Sequence, residues 1–310
     1  MSFSRRQALS VGSCGIDVKS FFLKSRTSPR MIWKEMARLR HEIAEFAPQV
    51  VHAHFGTVTA LVAAMASSVP LVITFHGSDL NPAPGMSSLR SRIGRLFSHL
   101  AARRAARVIC VSSQLSERVG YLKDRVHVVP CGVDIQRFRP LSIRESRRTL
   151  GWDLDEKIVL FNARTDPVGK RLDLAEAAVE VAKKQIPGLR LHVFRGKTPP
   201  DEMPVYYSAA DGLLMTSDYE GSPMVVKEAL ACNLPVVSVD VGDVVQRLAG
   251  VAPSVVVKRD AAALGAALAE VLRTSGRSNG REVAQGFSEE SVAREVVSVY
   301  RLANKKERAA

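Results

Sequence analysis

The chain has 310 residues, of which 46% are hydrophobic and 24% charged, and its formal net charge is +13. That apolar share excludes a disordered polymer and is enough for two cores of ordinary domain size. The positive balance points to an anionic partner (a nucleotide phosphate, a nucleic acid or an acidic membrane face) without choosing among them.

At the amino terminus, SRRQALSVGSC places two arginines before an apolar stretch. The stretch is too short for a signal peptide, and Asp17 and Lys19 follow at once, so none is expected. ALSVGSCG reads as a remnant strand. Strands are then expected at Val50–Phe55, Leu71–Phe75, Val108–Ser112 and Val126–Pro130. The apolar run from Ala60 to Phe75 is broken by Ser67, Ser68 and Pro70, so it reads as a helix and a strand, not a membrane span. A charged stretch without a strand, Arg137–Asp155, marks the join between two domains. Beyond it, strands are expected at Lys157–Asn162, Leu189–Phe194, Gly212–Thr216, Pro235–Val239 and Val255–Val257. Amphipathic helices are expected at Met31–Phe46, Leu172–Gln185, Ala261–Arg273 and Ser288–Ala303. Short, continuously apolar strands alternating with helices predict parallel sheets covered on both faces. Cys14, Cys110, Cys131 and Cys232 are scattered without a CxxC pair, and are expected as reduced thiols of a cytosolic protein.

In such sheets ligands gather at the carboxyl ends of the strands. Two of these ends carry chemistry. In YEGSPMVVKEAL, Ser222 suits a helix N-cap and Pro223 the first helical turn. The free N–H groups there suit a phosphate, and Gly221 permits close approach to the backbone. Glu220 falls in the loop. Glu228 falls two turns down the helix among Val225, Val226, Ala229 and Leu230, where a carboxylate needs a reason; the hydroxyls of a ribose would supply one. In FNARTDPVGKRLDLAEA, Arg164 and Lys170 follow a strand and suit a diphosphate. No GxxxxGK[ST] loop is present.

With HAHFG, TFHGSDL and VVPCGVDIQRF in the expected order, these two segments resemble the retaining glycosyltransferases of family 4, over about Gln49 to Arg301. The resemblance implies the GT-B fold: α/β, with two Rossmann-like domains whose parallel sheets face each other across a cleft. The N-terminal domain is expected to be incomplete at its start, where no Gly-Gly loop is found. The implied domains are 1–140 on the acceptor side, 141–287 for the nucleotide-sugar donor, and a C-terminal helix, 288–310, crossing back. Carried over by motif, Glu228 would hold the ribose, and Arg164 and Lys170 would neutralise the leaving diphosphate. Glu220, Gly221, Ser222, Pro223 and Met224 would line the donor, and His76 would reach its sugar. His52 is expected packed in its strand, His54 facing the cleft, and Asp79 orienting His76 or capping the next turn. DVGDVVQRL departs from the family in carrying Asp243 and Gln246, which puts a donor contact there in doubt.

The implied activity is metal-independent sugar transfer with retention, from a nucleotide-sugar to a sugar or lipid-linked acceptor, in polysaccharide or glycolipid synthesis. No cofactor and no nucleic acid are implied. The Asp153–Asp155 pair lies away from strand ends and reads as structural, not as a metal motif. A non-catalytic degenerate domain and a sugar-nucleotide epimerase remain as alternatives. The implied place is the cytoplasm, with peripheral contact at an anionic membrane as one option. The basis for that option is SSLRSRIGRLFSHLAARRAARV, an arginine-rich amphipathic helix without an acidic residue. As a covering helix it is expected to spend its apolar stripe on its own sheet.

Overall fold

The computed structural model describes residues 3–81, 88–274 and 276–305. Residues 306–310 of the assigned C-terminal segment and Ser87 of the arginine-rich segment therefore lie outside the described residues. The chain divides into two units, Met1–Gly132 with Glu289–Ala310, and Val133–Ser288.

The first unit is built on four parallel strands, β1 (Val51–His54), β2 (Leu71–Phe75), β3 (Arg107–Cys110) and β4 (Val126–Val128), in that order across the sheet. All five β2 residues are buried, as the unbroken LVITF run requires of a strand covered on both faces. One core joins Leu71, Ile73, Phe75, Val108 and Cys110 to Ala101 and Ala102 of the helix Ser88–Arg104. A second is made where Met36, Leu39 and Ile43, one stripe of the helix Pro29–Phe46, meet Val62 and Ala66 of the helix Thr57–Ala66.

The stretch read as a remnant strand is helical instead: Phe3–Ser13 is one α-helix. The serines fit this state, since Ser10 and Ser13 donate to the carbonyls of Arg6 and Leu9 one turn back. Tertiary packing supplies the rest. Val11 is buried, the helix packs on the C-terminal helix Glu289–Asn304, and Arg6 pairs with Glu289 at 3.2 Å. That C-terminal helix buries Val292, Val296 and Val299 within the first unit and touches β2 and β3. Its Tyr300 hydroxyl sits 2.6 Å from His52 Nδ1.

The second unit has five parallel strands, β5 (Ile158–Asn162), β6 (Arg190–Phe194), β7 (Gly212–Met215), β8 (Val236–Val239) and β9 (Val255–Val257), ordered β6-β5-β7-β8-β9. Central β7 and β8 are wholly buried, while edge strands β6 and β9 are mostly half-buried. The chain leaves β5 to one side for β6 and returns to the other side for β7. Strand order therefore reverses between β5 and β7, and in sheets of this kind ligands bind at the carboxyl ends beside such a reversal. The charged stretch read as the join lies inside this unit. Its helix, Ile143–Leu150, buries Arg147, whose guanidinium donates to the carbonyls of Ala209, Asp153, Leu154 and Glu156 and pairs with Asp211 at 2.7 Å. The Asp153 carboxylate accepts from Asp155 N–H at 2.9 Å, a local turn bond.

Candidate functional site

Both candidate loops leave the strands that flank the reversal. Ala163–Lys170 follows β5 and Thr216–Pro223 follows β7. They are stapled together by backbone and side chain. Asp218 N–H donates to Gly169 O at 3.0 Å. Thr216 Oγ1 lies 2.8 and 2.9 Å from the carbonyls of Lys170 and Arg171. From β9's end, Arg259 donates to the carbonyls of Thr216 and Ser217, each at 2.7 Å. The ammonium of Lys170 is hydrogen-bonded to Glu220 Oε1, with both side chains mostly shielded from water. The cation of one loop is thus held by the carboxylate of the other. Arg164 stands exposed in left-handed backbone (φ 46°), its N–H bonded to Phe194 O of the neighbouring strand.

The helix after β7 runs Met224–Ala231, so it starts one residue later than the sequence reading has it. Pro223 occupies the cap position in extended backbone, with no side-chain cap bond. Ser222 is engaged elsewhere: its hydroxyl donates to Asp243 Oδ2 at 2.8 Å and accepts from Lys227 Nζ. Lys227 is fully buried, and Asp243 nearly so, with Nζ 3.5 Å from Oδ2. Arg247 Nε is 3.3 Å from the same oxygen. Asp243, where the sequence departs from the family, thus ties the loop after β8 to the loop after β7. The two loops touch at Gly242 (φ 61°), where an added Cβ would lie 2.8 Å from Gly221 O. Only glycine fits there without moving the Gly221 peptide.

Glu228 Oε2 accepts from Tyr207 OH at 2.8 Å. Tyr207 is buried, and both burial and the Glu228 carboxylate push its hydroxyl well above its usual range. The tyrosine therefore stays a donor and orients Glu228. Sequence reasoning missed Tyr207 and Lys227. A signal existed for Lys227, a lone cation in the apolar run MVVKEALA. None existed for Tyr207, 21 residues before its partner.

His76 lies in the first unit, at the end of β2. Its Nε2 is 3.3 Å from His54 Nδ1, and the two rings stack with centroids 5.5 Å apart. His52 sits 2.7 Å from Thr74 Oγ1 and packs beside His54. Asp79 does not bond the His76 ring. Its buried carboxylate accepts the backbone N–H groups of Gly56, His76 and Gly77 at 2.9–3.1 Å, joining the loops after β1 and β2. An open depression with about 360 Å³ of empty space is lined by His76, Thr74, Cys131, Gln7, Ser10 and Glu289, among others.

Loss of water pushes the His54 imidazole down to about 4, and holds His52 and His76 well below their ordinary value, with His54 close by adding to both. The folded state therefore keeps all three neutral, while the unfolded chain takes up protons below about pH 6.5. Stability from this cluster is full above about pH 6.5 and falls as pH drops toward about 4. Melting temperature measured against pH should decline through that window, and His54→Gln should flatten the decline. An identical slope in that variant would remove the cluster from the explanation.

Comparison with known proteins defines the class. Residues 2–137 match the model of Glycosyltransferase Family 4, and residues 156–274 that of Glycosyl transferases group 1. Sucrose-phosphate synthase from Thermosynechococcus elongatus has the same fold, with TM-score 0.76 and 20% identity over 96% of this chain and 92% of that one. The glycosyltransferase WaaG of lipopolysaccharide biosynthesis superposes with TM-score 0.65 at 16% identity, covering 99% and 95%. Anabaena HepE, solved with UDP and glucose, gives 0.69 at 17%, covering 93% and 87%. Among curated relatives, the putative teichuronic acid biosynthesis glycosyltransferase TuaC of Bacillus subtilis is 32% identical over 64% of this chain and 54% of its own length. The D-inositol 3-phosphate glycosyltransferase of Frankia alni is 29% identical over 86% and 77%. The aligned region thus spans about half the length of TuaC and about three quarters of the Frankia protein. The two parts of the chain are thus similar to the corresponding parts of family 4-type glycosyltransferases, and the chain has the GT-B fold.

Among the described residues, no group of three or more His, Cys, Asp or Glu side chains is arranged to hold a metal ion, and no helix is long and apolar enough to cross a membrane.

Proposed function

We propose that the chain transfers a sugar, with retention, from a nucleoside diphosphate sugar to a hydroxyl of a sugar or lipid-linked acceptor in polysaccharide or glycolipid synthesis. The observation that carries this reading is the convergence of two loops at the β5/β7 reversal. One brings Arg164 and Lys170, and the other brings Gly221 and the start of the Met224–Ala231 helix. A diphosphate there meets two cations and helix N–H groups. Glu228, oriented by Tyr207, would accept the ribose hydroxyls. Relatives named for teichuronic acid biosynthesis and for D-inositol 3-phosphate support a sugar or phosphorylated acceptor, and neighbours solved with UDP support a nucleotide donor.

In the reaction the bond from the anomeric carbon to the phosphate oxygen breaks, and its electron pair leaves with the diphosphate. Lys170 and Arg164 stabilise that growing charge, so the step needs no metal ion. The acceptor oxygen bonds to the anomeric carbon from the face of departure and passes its proton to the departing diphosphate oxygen on that face. His76, in the first unit, is kept neutral and offers a hydrogen-bonding ring there, not a cation. Purified protein incubated with UDP-, GDP- and ADP-sugars, with and without sugar acceptors, should release nucleoside diphosphate. Donor binding without any release would favour the non-catalytic alternative.

A further inference from the structure

Apart from His76, the residues lining the depression at the carboxyl ends of β2, β3 and β4 have no role in the donor reading. All of them belong to the first unit, where the helices Phe3–Ser13 and Glu289–Asn304 meet the sheet. The walls are of two kinds. Val111, Val129 and Val292 give an apolar side, while Gln7, Ser10, His76 and Glu289 bring polar groups. Apolar walls with a few convergent polar groups are what small-molecule sites are built from. A pyranose uses both, since its C–H faces pack on apolar surface and its hydroxyls need hydrogen bonds once they leave water.

Gln7 and Ser10 lie three residues apart and so share one side of their helix. The helix is anchored by buried Val11 and by Arg6, which pairs with Glu289 at 3.2 Å. Glu289 is fixed in turn against the loop after β4: a Cβ added at Gly132 would lie 2.8 Å from its Cα. Among the described residues, Gln7 Oε1 is buried without a hydrogen-bond partner, an acceptor that a ligand hydroxyl would satisfy. Ser10 donates to Arg6 O at 3.0 Å, so its oxygen can accept from a second hydroxyl.

Charge decides the class of ligand. None of the described residues lining the depression is Lys or Arg, and its one carboxylate, Glu289, is matched by Arg6. A phosphate or carboxylate entering here would lose water beside a carboxylate and gain no lining cation in return. The neighbouring imidazoles are held neutral by burial and add no charge. That neutrality stands out in a chain of net charge +13.

We infer that this depression binds the acceptor and selects an uncharged sugar over a phosphorylated or carboxylated one, with Gln7 and Ser10 as specificity-determining contacts. Calling that sugar the acceptor rests on the transferase reading; the binding itself requires no turnover.

The test is saturation-transfer NMR on the full chain at neutral pH. It is titrated with the methyl glycosides of glucose, galactose, mannose and N-acetylglucosamine, and in parallel with glucose 6-phosphate and the methyl glycoside of glucuronic acid. At least one neutral glycoside should bind, and more tightly than either anionic sugar. Gln7→Ala keeps a good helix former in place and should weaken that binding about two- to tenfold, the loss of one neutral hydrogen bond. Glu289→Gln releases Arg6 and should raise affinity for glucose 6-phosphate severalfold, a gain that misfolding cannot produce. Binding of anionic sugars as tight as that of neutral ones, no binding of any neutral glycoside, or no change in either variant would overturn the inference. A wild-type chain that binds a methyl glycoside but no UDP would leave this site standing and remove the donor reading alone.

Discussion

Replacing the buried Asp243 by alanine is expected to cost about 3–5 kcal/mol of folding stability. Lys227 is fully buried and cannot turn to water, so the variant strips a buried ammonium of its carboxylate. Ser222 loses its acceptor at the same time. Lys227→Met should cost less. Asp243 would keep Arg247 at 3.3 Å and the Ser222 hydroxyl at 2.8 Å, and Arg247 itself is part-exposed and can hydrate. The double variant should be more stable than Asp243→Ala alone, because the buried ammonium that Asp243 neutralised is then absent. Chemical denaturation of the three variants checks the order. Equal losses, or none, would show that the cluster is not the anchor of the loop after β7.

Lys170→Ala and Glu228→Ala should each weaken nucleoside diphosphate sugar binding roughly ten- to hundredfold, the loss of one charge-assisted contact of about 1.5–3 kcal/mol. The two variants differ in their side effects. Lys170→Ala also releases Glu220, leaving an unneutralised carboxylate beside the proposed diphosphate. Its loss should therefore fall at the upper end, and Lys170→Ala with Glu220→Gln should recover part of it. Glu228→Ala leaves the buried Tyr207 hydroxyl without its 2.8 Å acceptor, so it should also lower stability. Glu228→Gln keeps an acceptor and removes only the charge, which separates the two effects. Calorimetric titration with UDP reads both. Unchanged affinity in Lys170→Ala and Glu228→Gln alike would withdraw the assignment.

Strands were legible because their runs are predominantly apolar, as VVSV and LVITF show, and parallel sheets buried on both faces need that pattern. The loops were legible for a topological reason: Lys170 and Glu220 follow strand candidates, and strand ends are where such sheets bind. Their partners were not legible. Asp243 meets Lys227 and Ser222 from a different strand end, and Tyr300 meets His52 across 248 residues. Nothing local marks either pair. ALSVGSCG misled because its length suits a strand, whereas its helical state depends on packing against Glu289–Asn304. The arginine-rich helix misled in another way. A helix between two strands usually turns its large apolar residues inward, but small residues at Gly94, Ser98, Ala101 and Ala102 serve that contact here.

The most direct test of a donor site at the β5/β7 reversal is the melting temperature of the wild-type chain with UDP-, GDP- and ADP-sugars. A ligand bound only by the folded state adds about 2.7 kcal/mol at a hundred times its dissociation constant, enough for a shift of several degrees. The reading predicts that at least one of these donors raises the melting temperature, and that Lys170→Ala abolishes most of the rise. No shift with any of the three, or a shift that Lys170→Ala leaves intact, would contradict it.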